Sequence, residues 1–393
     1  MRQVYLDNSA TTPIDPRVRS AILPYLEDQF GNPSSVHSAG QNVRAAVEEA
    51  REKVAALIGA RADEVFFTSG GTEADNWAIK GTAWAKREKG NHIITSAIEH
   101  HAVIESCHYL SKHGFDITLL PVDEYGLVDP EEVKRAITEK TILISVMHAN
   151  NEIGTIQPVT EIGRIARERG ILFHVDAVQT AGHLPVNVIE MNVDLLSVSG
   201  HKLYGPKGIG ALYIKKGVRI DPLMSGGSQE RGKRPGTENV PGIIGFGKAA
   251  ELALEDMSGE TERLTVLRDK LATELQTRIP DSHLNGHPTQ RLPNNVNISF
   301  KYVEGESLVL NLDFDGIYAS TGSACSSSSL EPSHVLLACG LIAEEAHGSL
   351  RFSLGKFTEA EDIEKVIEVL PGIVKKLRAM SPLAPSASSG AGK

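Results

Sequence analysis

The chain alternates short apolar runs with longer amphipathic stretches. EVFFTSGG, NHIITSAIEHH, TILISVMHANNE, ILFHVDAVQ, DLLSVSGHKLYG and GALYIKKG are the runs. Several are continuously apolar rather than alternating, as strands buried on both faces are, and the helical periodicity between them implies crossovers. Crossover connections require parallel neighbours, so the pattern predicts an α/β fold around a mostly parallel sheet. Each run ends in polar or glycine residues: TSGGTEADN, EHHA, HANNE, DAVQ, SGHK. Ligands of such sheets sit beyond the carboxyl ends of the strands, so function is expected to concentrate there.

A long helical pattern over 243–278 precedes a second unit with its own strands, NNVNISF, GIYAS and SLRFSL, and a final helix, EDIEKVIEVLPGIVKKLRAM. We expect an N-terminal segment, 1–14, that packs with the small domain, a large domain over 15–260, and a smaller α+β domain over 261–376. The tail, 377–393, ends in SPLAPSASSGAGK, a small, polar, proline-bearing composition that predicts disorder. At 393 residues the chain is long enough for two cores.

The net charge of -10 argues against a nucleic-acid binder. No run approaches the roughly 18 apolar residues that span a bilayer, so no membrane partner is expected. The start, MRQVYLDNSATTP, lacks a basic-then-apolar signal, which makes the cytoplasm the expected compartment. Three cysteines form neither an even disulfide set nor a CxxC pair, which suits a reducing environment. Cys107 in VIESCHYL and Cys339 in HVLLACGL sit among apolar neighbours and read as buried, inert thiols. Cys325 sits instead in STGSACSSSS, among residues with little side chain.

SVSGHKLYGPKG places Lys202 directly after a strand end, beside His201 and three residues after Ser199. Upstream, HVDAVQT closes an apolar run with Asp176, and Gln179 follows. A carboxylate at the end of a buried strand needs a cationic or donor partner, and a protonated pyridine nitrogen would supply one. Pyridoxal phosphate requires this set: a lysine, an aspartate for the ring nitrogen, and donors for the phosphate. In TSGGTEADN, Gly70, Gly71 and Thr72 open a helix whose N–H groups suit an anion, and Ser199 and His201 could close the same cradle. The stretch lacks the GKS/T ending of a nucleotide P-loop, and no strand-GxGxxG-helix unit is present, so both nucleotide readings fall.

Taken in order, YLDNSATTP, FGNPSSVHSAG, FTSGGTEADN, EHHAV, HANNEIG, HVDAVQ, SGHKLYGPKG, GGSQERGKRPGTEN, STGSACSSSS and SLRFSLG resemble the NifS/IscS-type cysteine desulfurases, class V aminotransferase-like enzymes of pyridoxal-phosphate fold type I. The resemblance covers roughly residues 3–375. It implies a large domain with a mainly parallel seven-stranded sheet between helices, plus a smaller α+β domain. It makes Lys202 the residue that links the cofactor and moves the substrate α proton. Asp176 would pair with the pyridine nitrogen, Gln179 and Asn151 would contact the ring oxygen and the substrate, and His100 would stack on the ring and act in proton transfer. His101 beside it would be structural. Gly71, Thr72, Ser199 and His201 would hold the phosphate, with Thr237 reaching across from the second subunit of a homodimer. Arg351 would take the substrate carboxylate, where a planar guanidinium pairs bidentately and a lysine would not.

The implied reaction turns L-cysteine into L-alanine and leaves its sulfur on Cys325 as a persulfide, for an iron-sulfur scaffold or another acceptor protein. No resident metal is expected, although a Cys325 persulfide could bridge an iron-sulfur cluster transiently. A free thiol with a pKa of about 8.5 is only a few per cent thiolate near neutrality, so a nearby cation or proton acceptor must help, and His100 is the candidate. Glycine and serine around Cys325 keep the backbone soft enough for a sulfur carrier. Selenocysteine lyase and fold type I aminotransferase are the alternatives within enzymes; the intact STGSACSSSS speaks against an aminotransferase. A structural subunit that keeps only the pocket would be marked by loss of Lys202, Asp176 or Cys325, and all three are present.

Overall fold

A two-residue strand, β1 (Val4–Tyr5), precedes the apolar runs, and each run becomes a strand in the computed structural model, which describes residues 2–322 and 331–382. They are β2 (Val65–Thr68), β3 (His92–Ser96), β5 (Thr141–Ser145), β6 (Leu172–Asp176), β7 (Leu195–Ser199) and β8 (Gly210–Ile214), with β4 (Asp116–Leu120) between the second and third. The seven form one sheet in the order β2-β8-β7-β6-β5-β3-β4. From β7 to β4 all neighbours are parallel, and β8 runs antiparallel to both of its own. Successive residues face opposite sides: Phe67, Ile94, Ile144 and Leu196 enter one core, and Phe66, Ile93, Leu143 and Leu195 enter the other. Burial on both faces is why the runs read as continuously apolar. Of these seven, only β4 was silent in the sequence, because it is a largely uncovered edge strand with Leu119 half exposed.

The second unit is a three-stranded antiparallel sheet, β12-β10-β9, of β9 (Ser282–Asn285), β10 (Asn295–Phe300) and β12 (Ser349–Ser353). A short strand, β11 (Ile317–Tyr318), pairs in parallel with β1. The helix Val240–Arg278 runs unbroken through the boundary anticipated at 260; residues up to Leu252 fill the first core, and residues from Leu264 fill the second. Val4 and Leu6 also enter the second core, whereas Thr12 binds the His201 carbonyl of the large unit through both its N–H and its hydroxyl (both 3.0 Å). The N-terminal segment therefore ties the two units together. The final helix, Ala360–Met380, runs past the tail boundary placed at 377: Leu377 is its last residue against the second core, and Arg378 beyond it donates to the Lys301 (3.0 Å) and Asp281 (3.2 Å) carbonyls. Residues 383–393, and Cys325 with its neighbours from 323 to 330, lie outside the described residues. Among those described, no helix is long and apolar enough to cross a membrane.

Several titratable groups are buried at the carboxyl end of the large sheet. Glu99, just after β3, accepts from the Ser96 hydroxyl (2.5 Å) and the Met147 N–H (2.9 Å), while its second oxygen is buried with no partner among the described residues. Burial pushes its carboxyl up to about 8. Burial also holds His100, His148 and His201 down to about 4 and His174 to about 3. The two classes act with opposite sign: the buried acids bind more protons in the fold than in the open chain, the histidines fewer. The histidines finish losing their open-chain protons by about pH 7.5, whereas Glu99 is still ionising in the fold up to about 8. The share of stability that Glu99 contributes should therefore fall as pH rises from about 6.5 to 8. Glu99→Gln, which keeps a carbonyl acceptor, should flatten that fall by about 1–2 kcal/mol. Urea unfolding followed by tryptophan fluorescence at the two pH values checks this, and an unchanged pH slope in the variant would refute it.

Candidate active site

Asp176 is the last residue of β6 and is 6% exposed. One of its oxygens accepts the Val178 N–H (2.9 Å). Burial drives its carboxyl up to about 6, opposed by that bond and by the charge of Lys202. Lys202 lies in the turn after the neighbouring β7, where Gly205 is required because a Cβ there would stand 2.7 Å from the Gly200 carbonyl oxygen. Its ammonium donates to the carbonyls of Ser9 and Ala10, the latter at 2.8 Å, and the Gln179 amide donates to the same Ser9 carbonyl (3.1 Å). Lys202 and Gln179 thus converge on the YLDNSATTP segment, beside the strand end that carries Asp176. Sequence reasoning quoted that motif but gave none of its residues a place in the site.

The helix Gly71–Lys86 points its N-terminus at the same region. Gly70, at φ 155°, has no side chain to cap it, and a Cβ on Gly71 would lie 2.7 Å from Val178 and 3.7 Å from the Cβ of Ser199. The Ser199 hydroxyl is buried and has no partner among the described residues. His201 bonds the Thr11 hydroxyl through Nδ1 (3.1 Å), and burial followed by the charges of Lys202 and Lys207 keeps its ring neutral. An orphaned hydroxyl beside an uncapped helix N-terminus, with Thr72 in the first turn, is a donor set that fits an oxyanion.

Thr237 is exposed, and among the described residues it makes no hydrogen bond to the rest of this set. Its segment is nonetheless anchored nearby. Glu230 forms a buried bidentate pair with Arg51 (2.7 and 2.9 Å) and accepts the Phe67 N–H of β2 (2.9 Å), and Arg234 pairs with Glu73 in the first turn of the helix (2.8 Å).

His100 caps the helix His101–Ser111, and its Nδ1 accepts the Ala102 N–H (3.1 Å). The ring proton therefore resides on Nε2. Burial first, then the charges of Lys202, His101 and His334, keep the ring neutral. In this tautomer His100 offers a donor, so the expectation that it takes a proton from a thiol requires the cap to break. His101 packs its ring against that of His334, 4.9 Å away.

Arg351, on β12 and 2% exposed, brings the second unit into the site. It donates to the Asn151 carbonyl (3.1 Å) and to Asp7 (2.9 Å), and its buried Nε has no partner among the described residues. An arginine with a spare buried donor can receive a carboxylate. Cys107 and Cys339 are buried, and burial pushes both thiols up to about 12, which leaves them unreactive near neutrality.

The family described as Aminotransferase class-V matches residues 4–366. The cysteine desulfurase IscS of Dictyoglomus turgidum is 61% identical over 381 residues, covering 97% of each chain. The cysteine desulfurase IscS of Methanosarcina thermophila is 60% identical over 384 residues, 98% of this chain and 95% of the relative. A solved structure titled NifS-like protein superposes with a TM-score of 0.90 at 41% identity, over 96% of this chain and all of that one. With the fold, the strand-end lysine and aspartate, and these full-length likenesses in hand, the chain belongs to the class-V aminotransferase family.

Proposed function

We propose that the protein is a pyridoxal-phosphate-dependent cysteine desulfurase that delivers sulfur through Cys325. The observation that carries this reading is the meeting of Asp176, Lys202 and Gln179 beside a helix N-terminus that faces the Ser199 hydroxyl, which has no partner among the described residues. Full-length relatives named cysteine desulfurase support it.

The overall step balances without an outside oxidant. The carbon–sulfur bond of L-cysteine breaks, a sulfur–sulfur bond to Cys325 forms, and the proton given up by the Cys325 thiol is matched by the new C–H bond of L-alanine. Both sulfurs are oxidised as the carbon is reduced. Bound pyridoxal phosphate supplies an electron sink for the charge left when the α proton departs. Gly71, Thr72, Ser199 and His201 would hold its phosphate, and Asp176, ionised once a cationic partner is present, would keep a proton on its ring nitrogen. Lys202, held by the Ser9 and Ala10 carbonyls, moves the α proton. Arg351 and Asn151 orient the substrate carboxylate. His100, neutral and carrying its proton on Nε2, can donate a hydrogen bond to the substrate or the bound ring.

Thr237, exposed on an anchored segment, is suited to a partner's phosphate site, so this reading includes a homodimer. It also includes an iron-sulfur scaffold or other thiol acceptor and a reducing, cytoplasmic setting, which agrees with a thiol as sulfur carrier.

Incubation with L-cysteine in the absence of reductant, followed by peptide mass mapping, should add one sulfur atom to the Cys325 peptide with matching alanine. Cys325→Ala should keep the cofactor's visible absorbance and release no sulfur; sulfur release by that variant would refute the assignment. Arg351→Lys should raise KM for cysteine by about 10- to 100-fold with a smaller change in kcat, since it loses the planar fork. Loss of the cofactor's absorbance in that variant would place Arg351 elsewhere.

A further inference from the structure

The described residues stop at Gly322 and resume at Glu331, and the two roots, Gly322 and Ser333, both lie against one buried carboxylate. The Ser333 hydroxyl donates to Oε2 of Glu152 (2.5 Å) and accepts the Leu336 N–H (3.2 Å), which caps the helix His334–Ala338. On the other side, a Cβ at Gly322 would lie 2.8 Å from the same Oε2 and 3.4 Å from the Asn297 amide nitrogen. Gly322 therefore lies against the carboxylate with no room for a side chain.

Glu152 is itself fixed. It is 4% exposed, its N–H binds the Asn150 side chain (2.8 Å), and its carbonyl accepts from Asn297 (3.1 Å) and Asn295 (3.2 Å). Its chain neighbour Asn151 holds Arg351 through its carbonyl, and Ser320, just before Gly322, exchanges both backbone hydrogen bonds with Arg351 (3.2 and 2.7 Å). One carboxylate thus joins the two roots to the strand carrying Arg351. A buried carboxylate is costly wherever an apolar residue would pack as well, so its presence at this junction calls for a role.

We propose that Glu152 is a positioning residue for sulfur transfer, fixing both roots of the 323–330 segment against the wall that carries Arg351. This rests on the desulfurase reading. It acts through Ser333 and Gly322 and touches none of the reacting atoms.

The test compares wild type with Glu152→Ala, Glu152→Gln, Ser333→Ala and the double alanine variant. Two rates are read by peptide mass spectrometry on the cofactor-loaded enzyme: single-turnover sulfur addition to Cys325, and alkylation of Cys325 by iodoacetamide without cysteine. Glu152→Ala should slow sulfur addition about tenfold and speed alkylation about threefold, with cofactor absorbance unchanged and the dependence on cysteine concentration shifted less than about threefold. Glu152→Gln keeps an acceptor for Ser333 and should recover to within about threefold of wild type, and the double variant should be no slower than Glu152→Ala, because both lose the same bond. Wild-type rates in both Glu152→Ala and Ser333→Ala, a glutamine variant no better than alanine, or losses that multiply would overturn the proposal. Should Glu152→Ala fail to fold, Ser333→Ala and Glu152→Gln still decide it. If wild type gains no sulfur yet alkylation follows the expected order, the desulfurase reading fails and the positioning role stands.

Discussion

A carboxylate taken out of water must find donors or surrender its charge, and much of this fold is arranged around that constraint. Four buried acids meet it in four ways. Glu230 takes a full arginine fork from Arg51 and anchors the segment bearing Thr237. Glu152 takes a serine hydroxyl, with Arg351 nearby to favour its charge. Glu99 keeps two donors but is pushed towards the neutral form. Asp176 has one backbone N–H and the field of Lys202, and still sits at about 6. Its place at a strand end, beside Lys202 and Gln179, makes it the one suited to a cationic ring nitrogen.

The sheet places that acid. Parallel strands end together, so the polar residues that terminate β3, β5, β6 and β7 are neighbours in space although they are dispersed in the chain. Two connections then complete the wall opposite them. The helix Val240–Arg278 carries the chain from one core to the other without a break, and the N-terminal segment lays Ser9 and Ala10 across Lys202 before Thr12 reaches the turn behind it. Arg351 enters from the second sheet and is met by Asn151 from the first unit, so its wall depends on both cores being in place.

What could be read from the sequence was local. Apolar runs closed by Asp176, Ser199 or TSGG announce strand ends and a helix start within a few residues of one another, and the sheet followed from them. Groups whose meaning depends on a distant partner were silent. Glu152 and Ser333 are 181 residues apart, Arg351 and Asp7 are 344 apart, and no periodicity links them. Glu99 and Glu152 sat inside the quoted motifs EHHAV and HANNEIG but looked like ordinary polar loop residues, since burial is not visible in a string of letters. The helix through the domain boundary was legible as a pattern over 243–278, but the point at which it passes from one core to the other was not, because its apolar stripe continues while the core it faces changes.

The account turns on Asp176 and Lys202 forming a pocket for a phosphorylated pyridine aldehyde. Borohydride reduction of the protein after loading with pyridoxal phosphate, followed by peptide mass mapping, tests this most directly. The account predicts a phosphopyridoxyl mass on the peptide containing Lys202, and loss of that label when Asp176→Ala is loaded at the same limiting cofactor concentration. A label on another lysine, or full labelling of Lys202 in the Asp176 variant at that concentration, would contradict it.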